Sequence, residues 1–374
     1  MNQFLSALRL DPTIWDLFTL EEEYSPWIRD RYGRFPYFAS SNRELLLPRA
    51  SMLLTRMGFR PDYPENKKFA ICLTHDVDAI YCGRGRDRAF SKIAEMLPLG
   101  VISATKRMLG KDIGGLSWRN MKEIMEIEES YGAHSTFFFM ALEKEQRDFN
   151  YSISEVAEEL HNIVDMGWEV GLHGSHEAFN NTIQMKKEKT LLERTLGSKV
   201  CGYRGHYLKF ETPITWRCLH EAGFNYDTTL GFADCVGFRN GMCHPFRPFD
   251  LDTQKVLPIL EIPLVIMDVT MTDSYMRLGV SDCWRLISLV LERTAACNGV
   301  LAILWHNTNF KGESLSLFEK ILQKGREMNA WLTDCRSLAA WWEPRVDAWY
   351  DKIGLQLSPE TGEDNALEEE SFGD

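Results

Sequence analysis

Three observations predict an α/β protein, built either as a barrel or as a doubly wound sheet. Short apolar runs alternate with segments of helical period over about 280 residues from Lys67 onward. The helical segments stop at glycines such as Gly132, Gly167 and Gly223. Ionisable residues gather where the apolar runs finish, and in parallel α/β proteins those strand ends carry the chemistry.

The elements follow in order. Residues 1–66 have interrupted helical patterning, with a helix over Leu45–Met57 entered near Pro48. The turn-rich RPDYPENKK then marks a boundary, so this part reads as an N-terminal appendage that packs on or lids the next domain. Phe69–Thr74 is a buried parallel strand, and His75-Asp76-Val77-Asp78 stands at its carboxyl end. Two carboxylates at i and i+2 are expected to share a cleft where the chain leaves regular strand geometry; the plainer role for both is capping the next turn. Residues 81–118 form a basic insertion with interleaved apolar residues, either a solvated helical excursion or a surface for anionic lipid or a phosphorylated substrate.

Beyond it, helices are expected over Met121–Tyr131, Ser154–Met166, Met185–Leu196, Thr215–Ala222, Asp282–Ala296, Leu315–Met328 and Ser337–Trp342. The apolar runs between them are His134–Met140, Trp168–Leu172, Val200–Tyr203, Phe224–Thr229, Leu260–Val269, Val300–Leu304 and Trp331–Thr333. His173 and His176, Arg204, Asp268 and His306 lie within or just beyond these runs. As parallel strands of one barrel, the runs bring all these side chains to one rim.

Composition narrows the function. The 374 residues are 44% hydrophobic and suffice for a large core, while the formal charge of −12 and pI near 5.4 argue against nucleic acid. Nine cysteines without CxxC spacing point to free thiols. With no basic-then-apolar leader and no stretch able to span a bilayer, the expected location is cytoplasmic. The Glu-rich end, Ser358–Asp374, is expected to be disordered.

From about Phe69 to Trp342 the chain resembles the polysaccharide deacetylase family of metal-dependent carbohydrate N- or O-deacetylases. Thr74-His-Asp-Val-Asp78 is similar to the family's T-F-D-D signature, His173-Gly-Ser-His176 to its paired-histidine motif, and Arg204-Gly-His-Tyr207 to R-x-P-Y. Asp268 matches a carboxylate motif weakly, and Leu304-Trp-His306 resembles the closing histidine motif. The resemblance implies an irregular (β/α) barrel of about seven strands over 67–345, between the appendage and an acidic tail at 346–374. It implies Asp76 as general base, Arg204 as its positioner, the Tyr207 backbone N–H as an oxyanion donor, and His306 as general acid tuned by Asp268. It also implies a divalent metal, expected to be Zn2+, on Asp78, His173 and His176. Two departures stand out. The histidine pair is three residues apart where the family has four, so Glu177 is an alternative to His176, and His206 replaces a proline. His75 is a spare ligand or packs below the site, while His134, His161, His220 and His244 have default surface or core roles.

The expected substrate is an N-acetylated sugar, possibly phosphate- or lipid-linked, in surface-polysaccharide or glycolipid assembly. Peripheral membrane contact would run through 81–118. Another amide hydrolase on the same scaffold (deformylase or allantoinase-like) and a non-catalytic carbohydrate-binding relative are the alternatives.

Overall fold

The computed structural model describes residues 2–81, 118–272 and 275–353. Nearly all of the basic insertion and the acidic tail beyond residue 353 lie outside them. The strands are β1 (Phe69–Val77), β2 (Thr136–Phe139), β3 (Glu169–Gly174), β4 (Gly202–Gly205), β5 (Tyr226–Asp227), β6 (Phe249–Asp250), β7 (Lys255–Val256), β8 (Leu260–Glu261), β9 (Leu264–Met267), β10 (Val300–Leu304) and β11 (Ala330–Thr333). Eight of them form a parallel sheet in the order β8-β5-β4-β3-β2-β1-β10-β9, and β11 pairs with the first half of β1. β6 and β7 form a separate antiparallel ribbon.

The two ends of this sheet, β8 and β9, are separated in sequence only by Ile262 and Pro263. Three Cα steps reach at most about 11 Å, so the sheet must curl round on itself into an open barrel. Leu260–Val269 therefore is not one continuous strand. Pro263 has no N–H to offer a ladder and breaks it, sending Leu264–Met267 to pair with β10 instead. The remainder, Asp268–Thr272, turns at once into a helix.

All nine residues of β1 are buried, as for a strand covered on both faces. Ala70 and Cys72 belong to one core cluster with Phe138, Leu338 and Trp342, while Phe69, Ile71 and Leu73 belong to a second with Ile287, Leu291 and Phe318 of the outer helices. The helices that follow the strands include Met121–Ser130, Thr182–Leu196, Val280–Ala296, Gly312–Glu327 and Cys335–Tyr350. Asn181 caps the second of these through Gln184 N–H, and Asp334 caps the last through Ser337 N–H.

Residues 2–66 carry helices over Asn2–Leu8, Pro12–Thr19 and Arg49–Arg56. Their apolar faces join the main core, with Phe4 against Tyr350 and Phe18 against Phe246. A buried ion pair, Glu23 with Arg239 at 2.6 Å, ties the segment to the loop between β5 and β6. No helix among the described residues is long and apolar enough to cross a membrane. The eight cysteines among the described residues are free thiols.

Candidate active site

The barrel rim at the carboxyl ends of β1, β3, β4 and β10 gathers most of the expected side chains. β1 runs regularly to Val77, and Thr74 and Asp76 share one face because side chains alternate along a strand. The strand ends at Val77, so Asp78 stands one residue past it, where the chain has left strand geometry as expected for the i, i+2 pair. Within the strand, His75 points the opposite way from Asp76. Its Nδ1 meets the Trp305 carbonyl at 2.8 Å and its Nε2 meets Glu128 at 2.9 Å, so it is a packed core histidine beneath the rim.

Register places the next two groups. His173 of β3 lies beside Arg204 of β4 in the parallel ladder. The His173 Nδ1–H donates to the Arg204 carbonyl at 3.0 Å, which leaves Nε2 with its lone pair aimed inward. That Nε2 is 3.2 Å from Asp78 Oδ1 and 3.5 Å from Asp76 Oδ2. The Arg204 guanidinium is fully buried, with Nη1 3.6 Å from Asp76 Oδ1 and Nη2 donating to Thr74 Oγ1 at 3.0 Å.

After β4 the chain makes a tight turn that requires Gly205, where a Cβ would lie 2.8 Å from the Lys209 carbonyl. Tyr207 and Leu208 adopt left-handed φ values of 59° and 52°. This turn throws the His206 ring inward, with Nε2 3.8 Å from Asp78 Oδ1. On the far side, the His306 Nδ1 bonds Asp268 Oδ1 at 2.6 Å, and its backbone N–H donates to Asp268 Oδ2 at 2.9 Å. Asn309 holds the same carboxylate at 2.7 Å, and the His306 Nε2 faces Asp78 Oδ2 at 3.8 Å.

Asp78 thus faces three imidazoles. Burial pushes its carboxyl up, but the contact with His173 and the nearby His206 and His306 rings outweigh this and hold it well below the usual range. Burial pulls His306 down, yet Asp268, with Asp78 and Asp76 behind it, more than reverses this and raises it to about 10, so the ring carries a proton at neutral pH. His173 is likewise raised by Asp76 and Asp78 against its desolvation, which shows a pocket whose field favours positive charge.

Asp78, His173 and His206 each offer one ligand atom, all within 4.8 Å of one another. Two tetrahedral donors each ~2.1 Å from an ion lie about 3.4 Å apart, close to the 3.2 and 3.8 Å seen here. Asp78 Oδ1 is buried and makes no hydrogen bond of acceptable geometry among the described residues. One carboxylate and two imidazoles fit a divalent cation.

No family model and no curated protein matches the sequence. Among solved structures, one assigned as a polysaccharide deacetylase from Mycobacterium smegmatis superposes with a TM-score of 0.51 at 18% identity, covering 82% of this chain and 98% of its own. The fold is that of a polysaccharide deacetylase. The peptidoglycan deacetylase PdaC from Bacillus subtilis matches at 14% identity and TM-score 0.39, covering 78% of this chain and 98% of its own. A CE4 family pseudoenzyme from Bacillus anthracis matches at 14% identity and TM-score 0.35, covering 73% of this chain and 66% of its own.

Against that fold, the rim brings together Asp76, Asp78, His173, Arg204, Asp268 and His306. It does not group His176 with Asp78 and His173. The chain turns after Gly174, and the His176 Nδ1 faces Asp148 at 3.4 Å instead. Glu177 also points away, accepting from Arg147 N–H at 3.3 Å. The Tyr207 side chain is stacked between His206 and Tyr32, with centroid separations of 3.9 and 4.8 Å. Tyr32 belongs to a strap, residues 30–34, whose Arg34 donates to the Tyr207 carbonyl at 2.7 Å.

Sequence reasoning assigned no role to Asp148, which lies in the loop after β2, away from any strand end. Burial raises its carboxyl, but His206 and His176 bring it down to about 2. For His206 the signal was present, as the one residue that breaks the R-x-P-Y pattern.

Proposed function

We propose that this protein is a divalent-metal-dependent hydrolase that removes the acetyl group from an N-acetylated sugar. The observation that carries the reading is the convergence on Asp78 of three imidazoles from three separate strand ends, with Asp76–Arg204 on one side and His306–Asp268 on the other. The shared fold supports it.

Asp78, His173 and His206 would hold the cation, taken to be Zn2+. When bound there, it supplies a Lewis acid that polarises an acyl carbonyl and acidifies a water. Asp76, held by the Arg204 guanidinium, takes one proton from the attacking water as its oxygen bonds the acyl carbon. The Tyr207 N–H would donate to the oxyanion. His306, kept protonated by Asp268, gives its proton to the departing nitrogen as the carbon–nitrogen bond breaks. The products are acetate and a free amine.

A sugar of surface-polysaccharide or glycolipid assembly is the substrate class we favour, because the sequence of 81–118 is locally basic and suits a phosphorylated or lipid-linked acceptor. The test is acetate release from N-acetylated mono- and oligosaccharides and sugar nucleotides, by the metal-loaded protein beside Asp76→Asn. Acetate release that Asp76→Asn leaves unchanged would refute the assignment.

A further inference from the structure

Among the described residues the rim holds a second cluster, made by Asp148, His176 and His206, which shares His206 with the first. Asp148 is buried, 7% exposed, in the loop joining β2 to the next helix. That loop is fixed to the catalytic strand: the Tyr151 hydroxyl donates to the Val77 carbonyl at 2.7 Å and accepts from Met140 N–H at 3.1 Å. Val77 sits between the two aspartates, so the loop and the rim carboxylates share one anchor.

Asp148 Oδ2 lies 3.1 Å from His206 Nδ1, an ion-pair contact that falls short of hydrogen-bond geometry, and accepts the His176 backbone N–H at 2.8 Å. The opposite ring nitrogen of His206 is the one that faces Asp78. An imidazole with a carboxylate at one nitrogen carries its proton there and presents a lone pair at the other. The ring plane is fixed as well, stacked on Tyr207 at 27° and edge-on to His173 at 67°.

The geometry points to Asp148 as the positioning residue for His206: it fixes the Nδ1–H form and directs Nε2 to the cation shared with Asp78 and His173. This rests on the reading of His206 as a metal-holding residue. A second cation on Asp148, His176 and His206 Nδ1 is the competing arrangement. It is disfavoured because the His206 ring would have to lose both protons to bind ions at both nitrogens.

The test measures Zn2+ affinity by competition with a chromophoric chelator, together with the visible spectrum of the Co2+-loaded protein. Asp148→Asn is expected to weaken Zn2+ binding by about 10–100-fold and to change the Co2+ bands, with Asp148→Glu restoring part of the affinity. If Asp148→Asn binds Zn2+ like the wild type while His206→Ala has lost it, the positioning role is wrong and the ligand set stands. Should His206→Ala itself bind like the wild type, the ligand set falls. Two Zn2+ per chain, dropping to one in Asp148→Ala, would make Asp148 a ligand and overturn the proposal. A measurement without any variant is the long-range 1H–15N spectrum of the chelated wild type at pH 8. It must show His206 protonated at Nδ1, and an Nε2–H form would overturn the proposal.

Discussion

Replacing Glu23 by Ala tests whether the first 66 residues and the barrel form one cooperative unit. The Glu23 and Arg239 side chains are both 2% exposed. Glu23 accepts from Arg239 Nε at 2.8 Å, from Arg239 Nη2 at 2.6 Å and from the Thr212 hydroxyl at 3.0 Å. The variant removes all three bonds at once and leaves a buried guanidinium whose remaining hydrogen bond among the described residues goes to the Gly231 carbonyl at 2.9 Å, beside the Phe210 and Phe232 rings. Breaking a buried ion pair from one side costs about 3–5 kcal/mol. At ~2.1 cal/mol/K per residue, unfolding 374 residues carries an entropy of about 0.8 kcal/mol/K, so the melting temperature should fall by about 4–6 °C. The assay is thermal denaturation followed by circular dichroism at fixed pH and metal content. Glu23→Met combined with Arg239→Met should lose less, because no lone charge is left buried. A Glu23→Ala melting temperature within about 1 °C of the wild type would refute the argument.

Three further outcomes are expected. Asp76→Asn should lower kcat by about 10²–10⁴-fold with Zn2+ retained, measured by acetate release and metal analysis of the same sample. His176→Ala should keep its metal, whereas Asp78→Ala and His173→Ala should lose it; elemental analysis after dialysis decides this. In the chelated protein His306 titrates near 10, well above an ordinary imidazole. Its ion pair with Asp268 therefore stabilises fully below about pH 6.5 and is lost as pH rises towards 10. Thermal melts between pH 6 and 10 should show that decline in the wild type and a flatter profile in Asp268→Asn.

Much of the rim was legible from the sequence because strand ends are local features. Asp76, His173, Arg204 and His306 each sit in or just beyond a short apolar run, and parallel pairing brings such ends together whatever the length of the helices between them. His176 was misplaced for the opposite reason. Its position depends on how the chain turns after Gly174, and the two residues Ser175 and His176 carry no periodicity to read. Asp148 was invisible because its role depends on Tyr151 reaching back to Val77, a contact across 74 residues of sequence. The split of Leu260–Val269 was foreshadowed by Pro263, but the destination of the second half, beside β10, is a property of the whole sheet. The stack of Tyr32 on Tyr207 similarly needs a segment more than a hundred residues upstream.

The lateral match of Leu172 with Tyr203, His173 with Arg204 and Gly174 with Gly205 has a consequence for how such a centre can change over time. Neighbouring parallel strands stand only about 4.8 Å apart, so the loops that leave them open onto the same few ångströms of space. An imidazole can be given up by one loop and supplied by its neighbour with its nitrogen arriving at nearly the same point. A search for related centres should therefore ask which rim positions can deliver a donor rather than insist on a fixed interval.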